Sequence, residues 1–516
     1  MAYALSKQET TKPGLSKKTN FWNTHENVSI FDKRIPYSGI PLDVCDNKVA
    51  LSKAETHCLI TGVSGKGKTR RELYPAVILS ARSGRSFVVA DMKGEIYRNT
   101  AEEVKRCGHD ILIFNLRNPI LGNRYNPFQL VEQCWKNGDK SKATVLLKDI
   151  TSILIKSVHS ERDAYWEMAA SDTIVGFALF LLENNYKLSF DNIRDLINQY
   201  ASLGEKRTEA NSMFDPSLDS SKRLSTITSL SADATLGCVV SCANICLSSF
   251  TDQEDIRDLL STSDIELAEL GKHPLAVYFI CPDESTALYG IASLFVEQCY
   301  SELIRFADSR EQNTLPVGVD FILDEFGSFV GSDWASKLTA ARSRGIRFII
   351  ALQSMSQLIG KYGENEARTI MNNCRTLVFM GGRDIKLQYE LSTLSGSIID
   401  ENGFERPVLS INDLNSMEAG KLIVFDDVGK PYFGHVPDWD SWCIREKALL
   451  KDTKRTIEQK MPVNLLSILN ELSNKNNKSK NDNSVFEDAF GLNNSNSNNY
   501  LTKMSLFDPE ESEAPF

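Results

Sequence analysis

The chain has 516 residues, 42% hydrophobic and 24% charged, which excludes a mainly disordered or fibrous protein and allows two to four domains at roughly 100–200 residues each. Lys and Arg total 58 against 68 Asp and Glu, a formal charge of -10, so a uniformly basic nucleic-acid coat is excluded and any such contact must be local. The 11 Cys, odd in number and without paired spacing, exclude a secreted disulfide scaffold and predict a reducing, cytoplasmic compartment.

Residues 1–50 are polar, Lys-containing and weakly patterned, interrupted by Pro13, Pro36 and Pro41, with no apolar core of a signal peptide. Residues 51–130 begin differently. HCLIT (57–61), SFVVAD (86–91) and DILIFN (110–115) are short continuous apolar runs, as expected of strands buried on both faces. Residues 131–272 show no strand pattern. LLKDITSILIKSV, YWEMAASDTIVGFALFLLE, FDNIRDLINQYASL and TSDIELAEL carry helical spacing, which predicts an inserted all-α domain. Its most apolar window, 164–182, contains Glu167 and Asp172 and reads as a buried helix, since a membrane span needs about 20 uninterrupted apolar residues. No transmembrane segment is predicted. Cys238, Cys242 and Cys246 recur every four residues and predict a packed helical face. The six His lack zinc spacing.

Strand-like runs resume over 273–445: PLAVYFIC (274–281), PVGVDFILD (316–324), IRFIIAL (346–352), RTLVFMG (375–381) and KLIVFDD (421–427). Strands alternating with helices predict an α/β domain with a mostly parallel sheet, split by the helical insertion. Residues 446–473 read as a C-terminal helix or linker. From 474 the chain is Asn/Ser/Lys-rich and ends acidic, a composition that predicts a flexible tail. FEDAF and MSLFDPEE within it are either docking peptides or incidental apolar islands.

Gly62-Val63-Ser64-Gly65-Lys66-Gly67-Lys68-Thr69 fits a phosphate-binding loop, directly after HCLIT and before a helix-capable stretch. Gly62, Gly65 and Gly67 would let backbone N–H groups, including that of Ser64, turn towards phosphate. Lys68 would reach the β- and γ-phosphates of ATP and Thr69 would ligate Mg2+. Asp324 and Glu325 end the run VDFILDE: Asp324 would hold the metal and Glu325 would polarise the attacking water. Gln353 ends the strand IRFIIAL, where it would sense the γ-phosphate. Arg342, Arg344 and Arg347 are candidate transition-state arginines or simply solvated charges. Asp91 and Lys93, in DMKGE after SFVVA, stand either in the ligand crevice at the strand ends or in a salt-bridged turn.

Together these pieces resemble the coupling proteins of conjugation and type IV secretion, the VirD/TraG/TraD group of RecA-like ring ATPases. GVSGKGKT (62–69), DMKGE (91–95), RYNPF (124–128), YWEMAA (165–170), ILDEF (322–326), RSRGIRFIIALQSMSQL (342–358), YG (362–363), GG-R-D (381–384) and ELSTLSG (390–396) occur in the family's order over about residues 55–440. The resemblance implies a RecA-like P-loop fold with an all-α domain and a homo-hexameric ring. It implies ATP hydrolysis with Mg2+ that moves single-stranded DNA and its relaxase to a secretion channel. Lys68 and Thr69 would be the P-loop residues, Asp324 and Glu325 the Walker B pair, Arg342 the arginine finger and Gln353 the motif glutamine. Family members usually begin with a transmembrane hairpin, whereas residues 1–61 are not membrane-like, so the chain either docks to a separate membrane-anchor subunit or is a soluble relative. The alternatives are a substrate receptor with little hydrolysis, or a double-stranded DNA pump of the same superfamily.

Overall fold

All eight apolar runs become strands of one sheet in the computed structural model, which describes residues 13–53, 55–158, 164–230, 232–282, 288–331, 333–427, 430–442, 447, 448, 457 and 463–472. The tail from 474, with FEDAF and MSLFDPEE, and most of the 446–473 linker lie outside the described residues.

The N-terminal segment is more structured than its weak pattern suggests. A helix, Lys18–Thr24, precedes β1 (Asn27–Ser29), β2 (Pro41–Cys45) and β3 (Lys48–Leu51), which form an antiparallel sheet in the order β1-β3-β2. These strands are too short to show periodicity, and one buried carboxylate ties them down. Asp43 accepts hydrogen bonds from Trp22 Nε1 (2.9 Å), Tyr432 Oη (2.7 Å) and the His435 amide (2.9 Å).

The main sheet comprises β4 (Cys58–Thr61), β5 (Ser86–Asp91), β6 (Asp110–Asn115), β7 (Leu275–Ile280), β8 (Val319–Leu323), β9 (Ile346–Leu352), β10 (Thr376–Phe379), β13 (Lys421–Phe425) and β14 (Tyr432–His435). A small hairpin, β11 (Ser397–Ile399) and β12 (Glu405–Pro407), stands apart. The order across the main sheet is β14-β13-β10-β4-β9-β8-β5-β7-β6. Every pair from β10 to β6 is parallel, while β13 and β14 add an antiparallel edge. Strands β4, β5, β7, β8, β9 and β10 are buried throughout, as parallel strands sandwiched between helices must be. β14 lacked a sequence signal because its residues alternate buried and exposed over four positions only.

Between Gln129 and Gly271 the described residues form helices and no strand. Asp139 and Ser189 cap two of the helices by accepting from the amides of Lys142 and Asn192. Ala164–Glu183 is buried over its last half, and Gly176 lets the helix Asp219–Thr228 approach closely. A Cβ at Gly176 would lie 2.8 Å from Leu224. Ala164–Glu183 and Asp233–Thr251 are long and apolar enough to cross a membrane, but 67% and 50% of those windows are buried inside the protein, as in core helices. Cys242 and Cys246 are buried as expected, whereas Cys238 is exposed. A four-residue repeat drifts about 40° per step on a 3.6-residue helix, so the first member rotates off the packed face.

RYNPF closes the base of the helical segment. Arg124 pairs with buried Asp258 at 2.8 Å, and its amide and carbonyl both bond Asp264. The Tyr125 amide donates to Leu259 O, while its ring packs edge-on against Phe295 at 4.9 Å. Gln298 Nε2 donates to Pro127 O at 2.8 Å. The entry and exit of the helical segment are thus fastened to each other and to the long helix Tyr289–Asp308. Met1–Ser202 and Pro216–Val463 fall in one compact unit. A second, small unit contains the helix Arg207–Met213 and the helix 465–472.

Candidate nucleotide site

The carboxyl ends of β4, β9, β8 and β5 lie side by side, since Thr61 is level with Leu352, Ile350 with Leu323, and Leu323 with Ala90. Residues that follow these strands therefore meet in one crevice. β4 runs into the Gly62–Thr69 loop. Gly65 and Gly67 have φ of +83° and +90°, a region open to glycine but strained for L side chains. Gly62 is needed for another reason: a Cβ there would stand 3.1 Å from Met380 Cβ. Ser64 and Gly65 are exposed at the loop's tip. Gly67 leads into a π-helical turn, Lys68–Leu73, continued by the helix Tyr74–Arg82. This is the helix N-terminus at which anions are favoured.

Lys68 is buried, and its Nζ donates to Gly62 O at 2.6 Å. Burial pushes its pKa down, while the charges of Glu325 and Asp324 pull the other way. Thr69 Oγ1 donates to Asp324 Oδ2 at 3.3 Å, joining the loop to the end of β8. The Asp324 carboxyl is pushed up to about 6 by burial and by its neighbour Glu325, with Lys68 opposing and Asp91 adding. Glu325 adopts left-handed backbone angles, φ 54° and ψ 45°. Such angles in a non-glycine residue cost on the order of 1–3 kcal/mol and point to a functional constraint. Gln353, just beyond β9, donates from Nε2 to Glu325 Oε1 at 2.6 Å.

Among the described residues no three His, Cys, Asp or Glu form a metal cage. Mg2+ is commonly held by one or two carboxylates plus substrate phosphates. Thr69 Oγ1 and Asp324 supply hard oxygen donors, and the like charges of Asp91, Asp324 and Glu325 leave a site that a divalent cation would neutralise.

Other expected residues sit elsewhere. The Asp91 carboxylate is engaged with the turn that follows, accepting from the Tyr97 amide at 2.8 Å and more weakly from the Lys93 amide at 3.4 Å. Burial raises its pKa against those bonds. Asp91 therefore shapes the crevice wall, while the Lys93 side chain is exposed. Arg342 is exposed at the amino end of β9, and seven residues of strand, roughly 20 Å at about 3.3 Å each, separate it from Gln353. The fold does not bring Arg342 to its own chain's crevice. Arg344 pairs with Asp308 at 2.8 Å. Arg347 is not a solvated charge: it is 1% exposed and pairs with Asp320.

Three features of the site lay outside the expected set. Gly381, with φ +96°, accepts from the Val63 amide at 3.1 Å, so the GG-R-D loop abuts the phosphate-binding loop. Lys66 Nζ donates to Met417 O at 2.5 Å. The Ser356 amide and hydroxyl both donate to Asp384 Oδ2 at 3.3 Å, tying the QSMSQL helix to that loop. The paired glycines after RTLVFM were the available signal.

This crevice, with a phosphate-binding loop after β4 and an acidic pair two strands away after β8, defines a P-loop nucleotide-binding fold of RecA type with an all-α segment. The family model described as type IV secretory system conjugative DNA transfer matches residues 6–398, and the chain belongs to that family. Among solved structures, the bacterial conjugative coupling protein TrwBdeltaN70 aligns with a TM-score of 0.57 at 15% identity, covering 82% of this chain and 92% of that one. The plasmid coupling protein TrwB in complex with ADP and Mg2+ aligns with a TM-score of 0.57 at 15% identity over 84% and 94%. Its complex with the ATP analogue ADPNP gives 0.58 at 15% identity over 82% and 93%. At these identities the likeness is one of fold. No curated protein sequence matches the chain.

Proposed function

We propose that the chain is an ATP-driven motor that delivers single-stranded DNA, with its bound relaxase, to a type IV secretion channel. The observation that carries this reading is the convergence of Lys68, Thr69, Asp324, Glu325 and Gln353 on one crevice. Lys68 would exchange Gly62 O for the β- and γ-phosphates of ATP. Thr69 and Asp324 would hold Mg2+, which supplies electrostatic stabilisation of the phosphates. Glu325 would orient water and accept its proton, and Gln353 would read the γ-phosphate. Ser64 and the loop glycines would present backbone N–H groups to phosphate.

Arg342, at the far end of β9, suits a role in a neighbouring subunit's site. A head-to-tail arrangement of that kind closes into a ring, here a homo-hexamer. With a net charge of -10, DNA contacts would be confined to the ring's pore. The channel subunits would be further partners of a protein working at the cytoplasmic face of the membrane.

The test is steady-state ATP turnover of the purified chain at several concentrations, with and without single-stranded DNA. Turnover should rise with DNA and with concentration, and Lys68→Ala and Glu325→Gln should each abolish it. Turnover unaffected by Lys68→Ala would remove the nucleotide-site assignment. ATP binding without turnover, even with DNA at high concentration, would replace the motor with a receptor.

A further inference from the structure

Lys68, Thr69, Asp324, Glu325 and Gln353 follow β4, β8 and β9, and none comes from the antiparallel edge formed by β13 and β14. That edge nevertheless grips the phosphate-binding loop. In the sheet order β4 has β9 and β8 on one side and β10, β13 and β14 on the other. The loop after β4 is therefore bounded by the acidic pair on one flank and by the antiparallel edge on the other. Two cations reach that edge. Lys66 Nζ donates to Met417 O at 2.5 Å, in the turn that leads into β13. Arg71 Nη1 donates to Val436 O at 2.7 Å, immediately after β14. The Val436 amide donates in turn to Gly420 O at 3.1 Å, which joins the two acceptors in one frame.

Glycines make room for both contacts. A Cβ on Gly67 would stand 3.0 Å from Arg71 Cδ and Nε, and one on Gly420 would stand 3.0 Å from Arg71 Nη1. The Arg71 side chain thus runs from the last glycine of the loop to the turn before β13, while its amide bonds back to Gly67 O at 2.8 Å. A Cβ on Gly381 would stand 3.3 Å from Lys66 Cε and 3.1 Å from Met417 Cβ, so glycine there lets Lys66 reach the turn. The Arg71 side chain is 16% exposed and is screened little by solvent. Arg70 differs: it pairs with Asp438 and is 42% exposed, where ion pairs contribute little. A loop with Gly65 and Gly67 at positive φ has many other conformations open to it, and loses much entropy if it must be ordered when phosphate arrives.

We propose that Lys66 and Arg71 are positioning residues that brace the phosphate-binding loop against the antiparallel edge, so that its amides are set for phosphate before a nucleotide arrives. This rests on the nucleotide-site reading. Each cation acts through a hydrogen bond to a backbone carbonyl, and ordering the loop in advance removes that entropy loss from nucleotide binding. The brace serves any nucleotide that uses the loop, so diphosphate and triphosphate gain from it alike. A neutral donor of similar reach does much of the same work, which it could not do if the side chain bound phosphate by its charge.

The experiment is equilibrium binding of ADP and of the non-hydrolysable analogue ADPNP to the full chain with Mg2+, beside hydrogen exchange of amides 62–69 in the nucleotide-free protein. Lys66→Met and Arg71→Met should each weaken both nucleotides about tenfold, the range set by a hydrogen bond from a charged group, and should speed exchange in the loop. Lys66→Gln should stay within about threefold of wild type. Gly420→Ala, which displaces the Arg71 guanidinium without touching the loop, should weaken binding in the wild-type background and add nothing in an Arg71→Met background. Met variants that bind like wild type would overturn the brace. So would Met variants that bind weakly with loop exchange unchanged and with Lys66→Gln as weak as Lys66→Met, since the cations would then be acting on phosphate by charge. Wild type that binds neither nucleotide would instead remove the nucleotide-site reading, and the brace with it. Circular dichroism and melting show whether each variant is folded; should Arg71→Met fail to fold, the two Lys66 variants decide.

Discussion

Asp320 and Arg347 are register partners on the adjacent parallel strands β8 and β9, and their ion pair is fully buried. Asp320 also accepts from Arg85 Nε at 2.9 Å and Ser80 Oγ at 2.6 Å, and Arg347 donates to Ser38. Burial alone would raise the Asp320 carboxyl, but the two guanidinium groups hold it below the usual carboxylate range. This network sits at the strand ends opposite the crevice and joins the two strands that carry Glu325 and Gln353.

Removing one partner of a buried pair leaves an uncompensated charge. Arg347→Met should therefore lower unfolding free energy by about 3–5 kcal/mol. Arg344→Met breaks a half-exposed pair with Asp308 and should cost about 1 kcal/mol or less. Chemical-denaturation midpoints of the two variants provide the comparison. Equal, small shifts would mean that the Asp320 network contributes little.

His57 gives the pH dependence. It is buried, with Nε2 donating to Leu338 O at 2.7 Å and Nδ1 accepting from the Phe348 amide at 2.9 Å, so both ring nitrogens are satisfied only in the neutral form. Burial, followed by the charges of Arg347 and Arg342, lowers its pKa to about 4 against a backbone bond that raises it. The folded pKa lies below the ordinary 6.5, so the unfolded chain binds the extra proton first. The stability that this neutral His confers is complete above about 6.5 and is lost as pH falls towards 4, about 3 kcal/mol in all. Melting of wild type and His57→Gln from pH 7.5 to 4 should show a gap that narrows across that window. A constant gap would contradict the assignment.

The RYNPF clasp predicts a coupling between the helical segment and the sheet. Asp258 is buried, and Arg124→Met strips it of its guanidinium. A loss of about 3–5 kcal/mol is expected. Limited proteolysis should show cleavage between 129 and 271 before the sheet is attacked. Simultaneous loss of both regions would show that the clasp does not govern their separation.

Arg342 is tested by mixing. Arg342→Ala subunits keep an intact crevice, and Glu325→Gln subunits keep an intact Arg342. If Arg342 acts on a neighbour, mixtures should recover ATP turnover that neither variant shows alone, peaking near equal proportions. Mixed assemblies that form without any recovery would remove the finger role.

The sequence by itself determined the strands, the loop and the acidic pair, because strands buried on both faces must be continuously apolar and phosphate-binding turns need glycine at Gly65 and Gly67. It did not determine the N-terminal sheet or β14, whose short strands owe their stability to Asp43 and to neighbours far along the chain. Nor did it separate Arg342 from Arg347: the two are five residues apart, yet one is exposed and the other is sealed against Asp320. Only the tertiary structure decided that, because burial depends on which strand lies alongside. The same holds for Gln353 and Glu325, 28 positions apart in the chain, which meet because β8 and β9 are adjacent parallel strands whose carboxyl ends lie within two residues of one level.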